Sequence, residues 1–453
     1  MPWWKTASWL ALLSPLTAQL SLQSKCELLP EPKPRLLVLS DIANEPDDAQ
    51  SFVRLMVYAN EFRIQGLVAT TSIWLNDTTR PDLMHEIVDA YGEALLNLRS
   101  HADGWPEAAA LKAVIASGLP VYGMDGVGEG KDSAGSKLLV DAVDASDEPL
   151  WIPIWGGASV LAQALWHVSA TRSPAEIERF IRRNWPRLFY IASVHHFNRY
   201  AVAAWGGMFG EMYYHFPSGA DSSLVSPEWV RDNIQGAGAL GSKYPDAEFI
   251  LEGDTPSLLY VIPNGLSDPE HPEWGSWGGR YGPVAFGEGR FADSVDTIRW
   301  REAFQRDFAA RMRWGVKPGF VEADHAPVAV VNGIGGRRII KMTVAAGDEV
   351  VLDARASCDP DGKQLSFKWW QYREPSSNNN TPRRDVAELG IDEPGSATVR
   401  ISIPSDEPDS DKHLHLILEV SDGQLVSYRR VLFTIRGPRA EASERANHGH
   451  DEL

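Results

Sequence analysis

From Arg35 to about Gly315, short runs that are apolar at nearly every position alternate with amphipathic runs. "RLLVLS" precedes "DDAQSFVRLMVYANEF", "IQGLVATTS" precedes "PDLMHEIVDAYGEALLNL", and "LWIPIW" precedes "GGASVLAQALWHV". A short continuous apolar run fits a strand buried on both faces, and the helical pattern behind it fits a crossover helix. The repeating pair therefore predicts an α/β domain built on a mostly parallel sheet with flanking helices. "RLFYIAS" and "EFILEG" predict further strands feeding the same edge. In such sheets ligands gather at the carboxyl ends of the strands.

The pattern changes after "RMRWGVKPGFVEADHAP". From Val328 to Arg436, short alternating segments such as "DEVVLDARAS", "SATVRISIP" and "HLHLILEVSDG" are separated by Gly, Pro, Asp and Asn turns. Period-two alternation over a stretch of this length predicts an all-β immunoglobulin-like sandwich. "SCDPDGKQLSFKWW" resembles the turn-and-strand signature of PKD-like extracellular sandwiches, a fold used for spacing and stability as well as for binding. The expected organisation is a signal peptide over 1–24, an α/β domain over 33–315, a linker over 316–327, a sandwich over 328–437 and a disordered tail over 438–453.

Charge narrows the partners. Across 453 residues, 43 Lys and Arg face 61 Asp and Glu, a net charge of −18 that disfavours nucleic acid and polyphosphate partners. The two cysteines, Cys26 and Cys358, either form one long-range disulfide or stay free. "MPWWKTASWLALLSPLTAQLSLQ" reads as a secretory signal peptide, its apolar run too short to span a bilayer, so no membrane span is expected in the mature protein. "NHGHDEL" carries the retrieval signal of the endoplasmic reticulum and implies a retrieval receptor as partner. Luminal residence is the expectation, and sequons at Asn76 and Asn379 fit it.

The densest chemistry lies where the first strand ends. "SDIANEPDDAQ" places Asp41, Glu45, Asp47 and Asp48 within eight residues. Pro46 marks the first turn of a helix, and an acid there caps it and complements its dipole. Capping needs one acid, whereas four crowded acids need a cation, and oxygen ligands suit calcium or magnesium.

"VLSDIANEPDDAQSFVRLMVYANEFRIQGLVATTS" resembles the opening of the nucleoside hydrolase fold, whose Asp-rich loop holds one calcium ion and a ribose. With "EGDTPSLLYVIPNGLSDPEHPEWGSWGGRYGP" it is similar, more closely, to nucleoside hydrolase-like proteins described as cellulose-binding, which carry a sandwich domain behind. The resemblance implies Asp48, Asp254 and the Trp155 carbonyl as calcium ligands, with Asp41 joining them. It implies that Asp47 and Asn76 contact the sugar; Asn198 in "ASVHHFNRY" and Glu252 in "LEGDTPS" are further candidate contacts. Asn76 also heads a sequon, so either it is unmodified or it is not a ligand.

The chain departs from the family at Ala43, where nucleoside hydrolases carry the Asp that binds calcium and deprotonates water. Asp41 is the favoured replacement base and Glu45 the alternative. Candidates for protonating the leaving group are His195, His196 and His271, since histidine titrates in the useful range. In "HPEWGSWGGRYGP", Trp274, Trp277 and Arg280 either wall a ligand or pin a long loop to the domain. Two functions follow as expectations. One is a calcium-dependent glycoside hydrolase acting on an N-ribosyl or other small furanosyl bond of a nucleoside or glycoside. The other is a non-catalytic carbohydrate-binding protein using the same metal loop; a scaffold role in the lumen is the weaker third.

Overall fold

The structure is a computed structural model describing residues 26, 30–172, 190–192, 206–209, 221–283, 290–376, 386–406, 408 and 411–436. The main sheet has the order β3-β2-β1-β4, built from β1 (Arg35–Ser40), β2 (Arg63–Ala69), β3 (Ile115–Ser117) and β4 (Leu150–Trp151). All its pairings are parallel. β1 is buried at every position. Its side chains alternate between two cores, because successive Cβ atoms point to opposite faces. Leu36 and Val38 join Phe52, Leu55 and Met56 of α1 (Pro46–Val57) and Met84 and Tyr91 of α2 (Pro81–His101). Leu37 and Leu39 join Leu139 and Val143 of α4 (Ala134–Asp144) and Val160 and Val168 of α5 (Ser159–Thr171), the short α3 (Ala108–Ala113) lying before β3.

Three expected strands come out differently. The "LWIPIW" run is regular only over β4, because Pro153 has no amide to donate to the ladder; contact resumes as the single bridge Leu39–Ile154. "RLFYIAS" contributes β5 (Tyr190–Ala192), which pairs in a separate three-stranded sheet with β7 (Arg290–Ser294), beside β6 (Arg280–Pro283). "EFILEG" forms no strand: its Glu252 has φ 49°, and the Glu252 amide donates to the Gln50 side chain at 2.7 Å instead of to a ladder.

The C-terminal region packs two sheets over one core. One sheet contains β8 (Ile340–Val344), β10 (Ser366–Tyr372), β13 (Lys412–Ser421) and β14 (Val426–Ile435). The other contains β9 (Glu349–Asp353), β11 (Gly390–Asp392) and β12 (Thr398–Ser402). Leu352, Trp369, Ile401, Leu416 and Phe433 meet between them.

The sandwich also contributes to the α/β core. Tyr372, Ile417 and Tyr428 pack with Trp300 and Trp277. The Arg430 guanidinium donates to the carbonyls of Trp274 and Gly275 at 3.0 and 2.6 Å. Cys26 and Cys358 are joined in a disulfide, their Cα atoms 5.6 Å apart, which closes the alternative left open by the sequence. No helix among the described residues is long and apolar enough to cross a membrane.

Candidate functional site

The site forms where two helices begin. β1 ends at Ser40 and delivers Asp41; α1 starts at Pro46 and holds Asp47 and Asp48 in its first turn, at the positive end of the helix dipole. The N-cap residue Glu45 makes no side-chain capping bond, so capping does not account for the acids. Asp254 is the N-cap of α6 (Thr255–Val261). Ser51 of α1 and Thr255 of α6 share a hydrogen bond of 2.8 Å, which ties the two helix starts together. As a result, one oxygen each of Asp47, Asp48 and Asp254 lies within 4.8 Å of the others.

Electrostatics separates these acids from ordinary surface carboxylates. Burial raises the Asp47 carboxyl to about 7, with the Glu45 charge adding to it. Burial pushes Asp48 well above the usual carboxylate range, helped by Asp41 and Asp47. Asp254 is raised in the same way by burial, then by Asp47 and Asp48. Asp41 and Glu45 are also raised by burial; hydrogen bonds with Ser72 and Asp48 oppose the shift at Asp41, while the Asp41 charge reinforces it at Glu45. Among the described residues no Lys or Arg pairs with any of the five. Asp47 Oδ1 and Asp254 Oδ2 are buried without hydrogen-bond partners. Orphaned anionic oxygens of this kind are costly unless a cation meets them, and a hard oxygen-liganded ion fits the donor set.

The surrounding residues hold the acids in place. Ser40 Oγ donates to Asp48 Oδ1. Trp155 donates its amide to the Leu39 carbonyl at 2.7 Å and its indole N–H to Ser257 at 2.8 Å, while Ser257 donates to the Asp254 carbonyl. Trp155 thus lies between the end of β1 and the third acid. Two glycines give the carboxylates room: a Cβ on Gly156 would stand 2.6 Å from Asp41 Oδ1, and one on Gly253 would stand 2.5 Å from Asp47 Oδ2. Sequence reasoning passed over Ser40, Ser72, Gly156 and Gly253. The glycines in "IWGG" and "LEGD" were the available signal, each adjoining a motif residue at the active edge.

Other candidates are placed differently. Asp41 is buried beside Asp48 but falls outside the mutually close set, where Asp47 stands instead. Glu252 does not face a ligand: its oxygens accept from Arg54 Nε at 2.6 Å and from the Tyr244 hydroxyl at 2.7 Å, at 1% exposure. The expected substrate contact is corrected to a buried ion pair behind the site. His271 lies flat on Trp274, centroids 3.8 Å apart, with Nδ1 on Glu273 at 3.1 Å. Trp274 in turn meets His415 edge-on and lies beneath Lys341, both in the sandwich. Trp277 is buried in the same core as Tyr372 and Tyr428. Trp274, Trp277 and His271 therefore pack toward the sandwich, the arrangement that the packing alternative describes. Arg280 opens β6, its aliphatic stem over Gly275. Asn76 is exposed on the loop after β2. His195, His196, Asn198 and the sequon Asn379 lie outside the described residues, as do the signal-peptide and HDEL segments.

Comparison with known proteins places this architecture. The family described as "Cellulose-binding Sde182, nucleoside hydrolase-like domain" matches residues 35–182 and 176–281, and "Cellulose-binding protein Sde0182, C-terminal domain" matches residues 349–435. The chain belongs to this nucleoside hydrolase-like family of cellulose-binding proteins. A solved family relative, a nucleoside hydrolase-related hypothetical protein from Saccharophagus degradans associated with carbohydrate metabolism, is 32% identical. The match covers 89% of this chain and 100% of that one with a TM-score of 0.75. A chimeric titin Z1Z2 protein matches at 11% identity over 26% of this chain and 99% of its own, with a TM-score of 0.17. An endo-fucoidan hydrolase of glycoside hydrolase family 107 matches at 11% identity, 91% of this chain and 69% of its own, with a TM-score of 0.18; neither likeness bears on fold or function. No curated protein matches the chain.

Proposed function

We propose that the chain is a calcium-dependent glycoside hydrolase of nucleoside hydrolase type, cleaving an N-ribosyl or other small furanosyl bond. The observation that carries this reading is the set of buried acids whose oxygens at Asp47 and Asp254 have no partner. Asp47, Asp48 and Asp254 would hold the ion, with Asp41 and the Trp155 carbonyl beside them. When bound, calcium supplies positive charge that orients sugar hydroxyls and makes a neighbouring water more acidic.

The chain's own groups perform the proton transfers. Asp41, buried just after β1, takes the proton of the attacking water at a carboxylate oxygen as the sugar becomes oxocarbenium-like. Glu45, half-buried at the same loop, is the alternative base. His195 and His196 remain the candidate donors to the leaving group. Entry into the secretory pathway, retrieval by an HDEL receptor and glycosylation at the Asn379 sequon belong to the same reading and rest on the sequence motifs.

A second reading, sugar binding without cleavage, is favoured by Ala43. Its exposed methyl stands in the loop at φ 95°, a conformation L side chains rarely adopt, and can neither ligate nor accept a proton. The deciding experiment is hydrolysis of nucleosides and nitrophenyl furanosides and pyranosides by the mature protein, with calcium and with chelator. Chelator-sensitive release from one sugar class supports the hydrolase. Calcium and sugar binding without release from any of them supports the binder.

A further inference from the structure

The loop that follows β2 displays apolar side chains at the edge where the acids lie. Ile73 is 58% exposed and Trp74 is 71% exposed. The turn that holds them out is tightly bonded: the Ser72 amide donates to the Leu75 carbonyl at 3.0 Å, and Ser72 Oγ accepts from the amides of Trp74 and Leu75 at 3.2 and 3.1 Å. The residue before the turn, Thr71, accepts at its carbonyl from the Gly157 amide at 2.9 Å, next to Gly156 and its close approach to Asp41, so the turn adjoins the acid cluster.

A second loop adjoins the first. The Tyr122 amide donates to the Asn76 carbonyl at 3.1 Å, and Thr71 Oγ1 donates to the Val121 carbonyl at 3.1 Å. This loop, following β3, exposes Tyr122 and Met124 at 40% and 74%. A Cβ on Gly157 would lie 3.3 Å from the Tyr122 ring, which places that ring over the loop carrying Trp155 and Gly156. Four large apolar groups are thus exposed on two mutually bonded loops at the sheet edge that carries the acids.

We propose that Trp74 and Tyr122, with Ile73 and Met124, form a shelf that takes a sugar ring beyond the one held at the acids, making the ligand a neutral oligosaccharide. Aromatic faces stack on the apolar C–H faces of sugars, and a turn already fixed by hydrogen bonds loses little entropy on binding. The exposed carboxylates of Asp77 and Asp125 on the same loops accept hydroxyl hydrogen bonds and repel anions, which sets a neutral saccharide ahead of a nucleotide. This inference rests on the proposed sugar site at the acids and extends it outward.

The test is calorimetric titration of the mature protein with calcium and two series of probes, glucose through cellopentaose and arabinose through arabinopentaose. The wild type is expected to gain roughly tenfold in affinity on addition of the second ring in one series. Trp74→Ala and Tyr122→Phe/Ala are read against Val351→Ala, an exposed apolar residue on β9 of the sandwich. Loss of the length increment in Trp74→Ala and Tyr122→Ala, and its retention in Val351→Ala, supports the shelf. Equal binding of the series by Trp74→Ala and wild type overturns it, as does the absence of binding to every probe. Binding that emerges only after enzymatic removal of a glycan from Asn76 also overturns it, because the chain's own sugar then occupies the shelf. Length-dependent binding without hydrolysis sinks the hydrolase reading alone; hydrolysis without length dependence sinks the shelf alone.

Discussion

At the residue scale, identical charges carry different duties because their surroundings differ. Asp48 accepts from Ser40 and stands among acids, whereas Glu252 is neutralised by Arg54, whose guanidinium also lies 3.9 Å above the Phe308 ring. Asp48→Ala is expected to abolish calcium binding, visible as loss of the calorimetric heat, with the fold retained. Glu252→Gln acts on stability instead, since it leaves a buried guanidinium without its counter-ion; urea unfolding should show a loss of about 3–5 kcal/mol. A calcium affinity unchanged in Asp48→Ala would remove the acids from the metal site.

At the element scale, the site depends on how helix starts and strand ends approach. α1 and α6 meet through Ser51 and Thr255, and the loop after β4 approaches Asp41 closely enough that only glycine fits at position 156. Gly253→Ala would drive a methyl against Asp47 Oδ2, and a tenfold or greater weakening of calcium binding with unchanged circular dichroism is the expected result. Legibility at this scale was uneven. β1, β2 and the helices α1, α2 and α5 were readable because burial on both strand faces and one helix face imprints a period on the chain. The "EFILEG" segment was not, because a short apolar run reads as a strand even where Phe249 is left exposed and the Glu252 amide turns to a side chain instead of a ladder.

At the scale of the whole molecule, the two cores are joined by charge, rings and a covalent bond. Glu61 binds Arg311 and Arg337 at 2.8 and 2.6 Å, linking the turn after α1 to the segment before β8. Burial works to raise the Glu61 carboxyl, but Arg337 and Arg311 outweigh it and hold it down to about 2. The stabilisation is complete above the unfolded value near 4.5 and is lost as pH falls toward 2. Thermal melts should therefore decline across that window, by on the order of 3 kcal/mol more in wild type than in Glu61→Gln. Cys358→Ser, opening the Cys26 disulfide, is expected to cost about 2–5 kcal/mol in chemical denaturation under non-reducing conditions.

The amino-acid order alone determined the α/β-then-sandwich plan, the acid-rich loop at the end of β1 and the family resemblance, because periodicity and a local motif are properties of neighbouring residues. Tertiary structure decided which acids converge. Asp254 lies more than two hundred residues beyond Asp48 and reaches it only because α6 packs on α1. It also decided that Trp274, Trp277 and His271 face the sandwich, while Trp74, in a loop with no periodic signal, is left exposed beside the acids. Packing across the fold, which no stretch of sequence records, assigns an aromatic ring to an interface or to solvent.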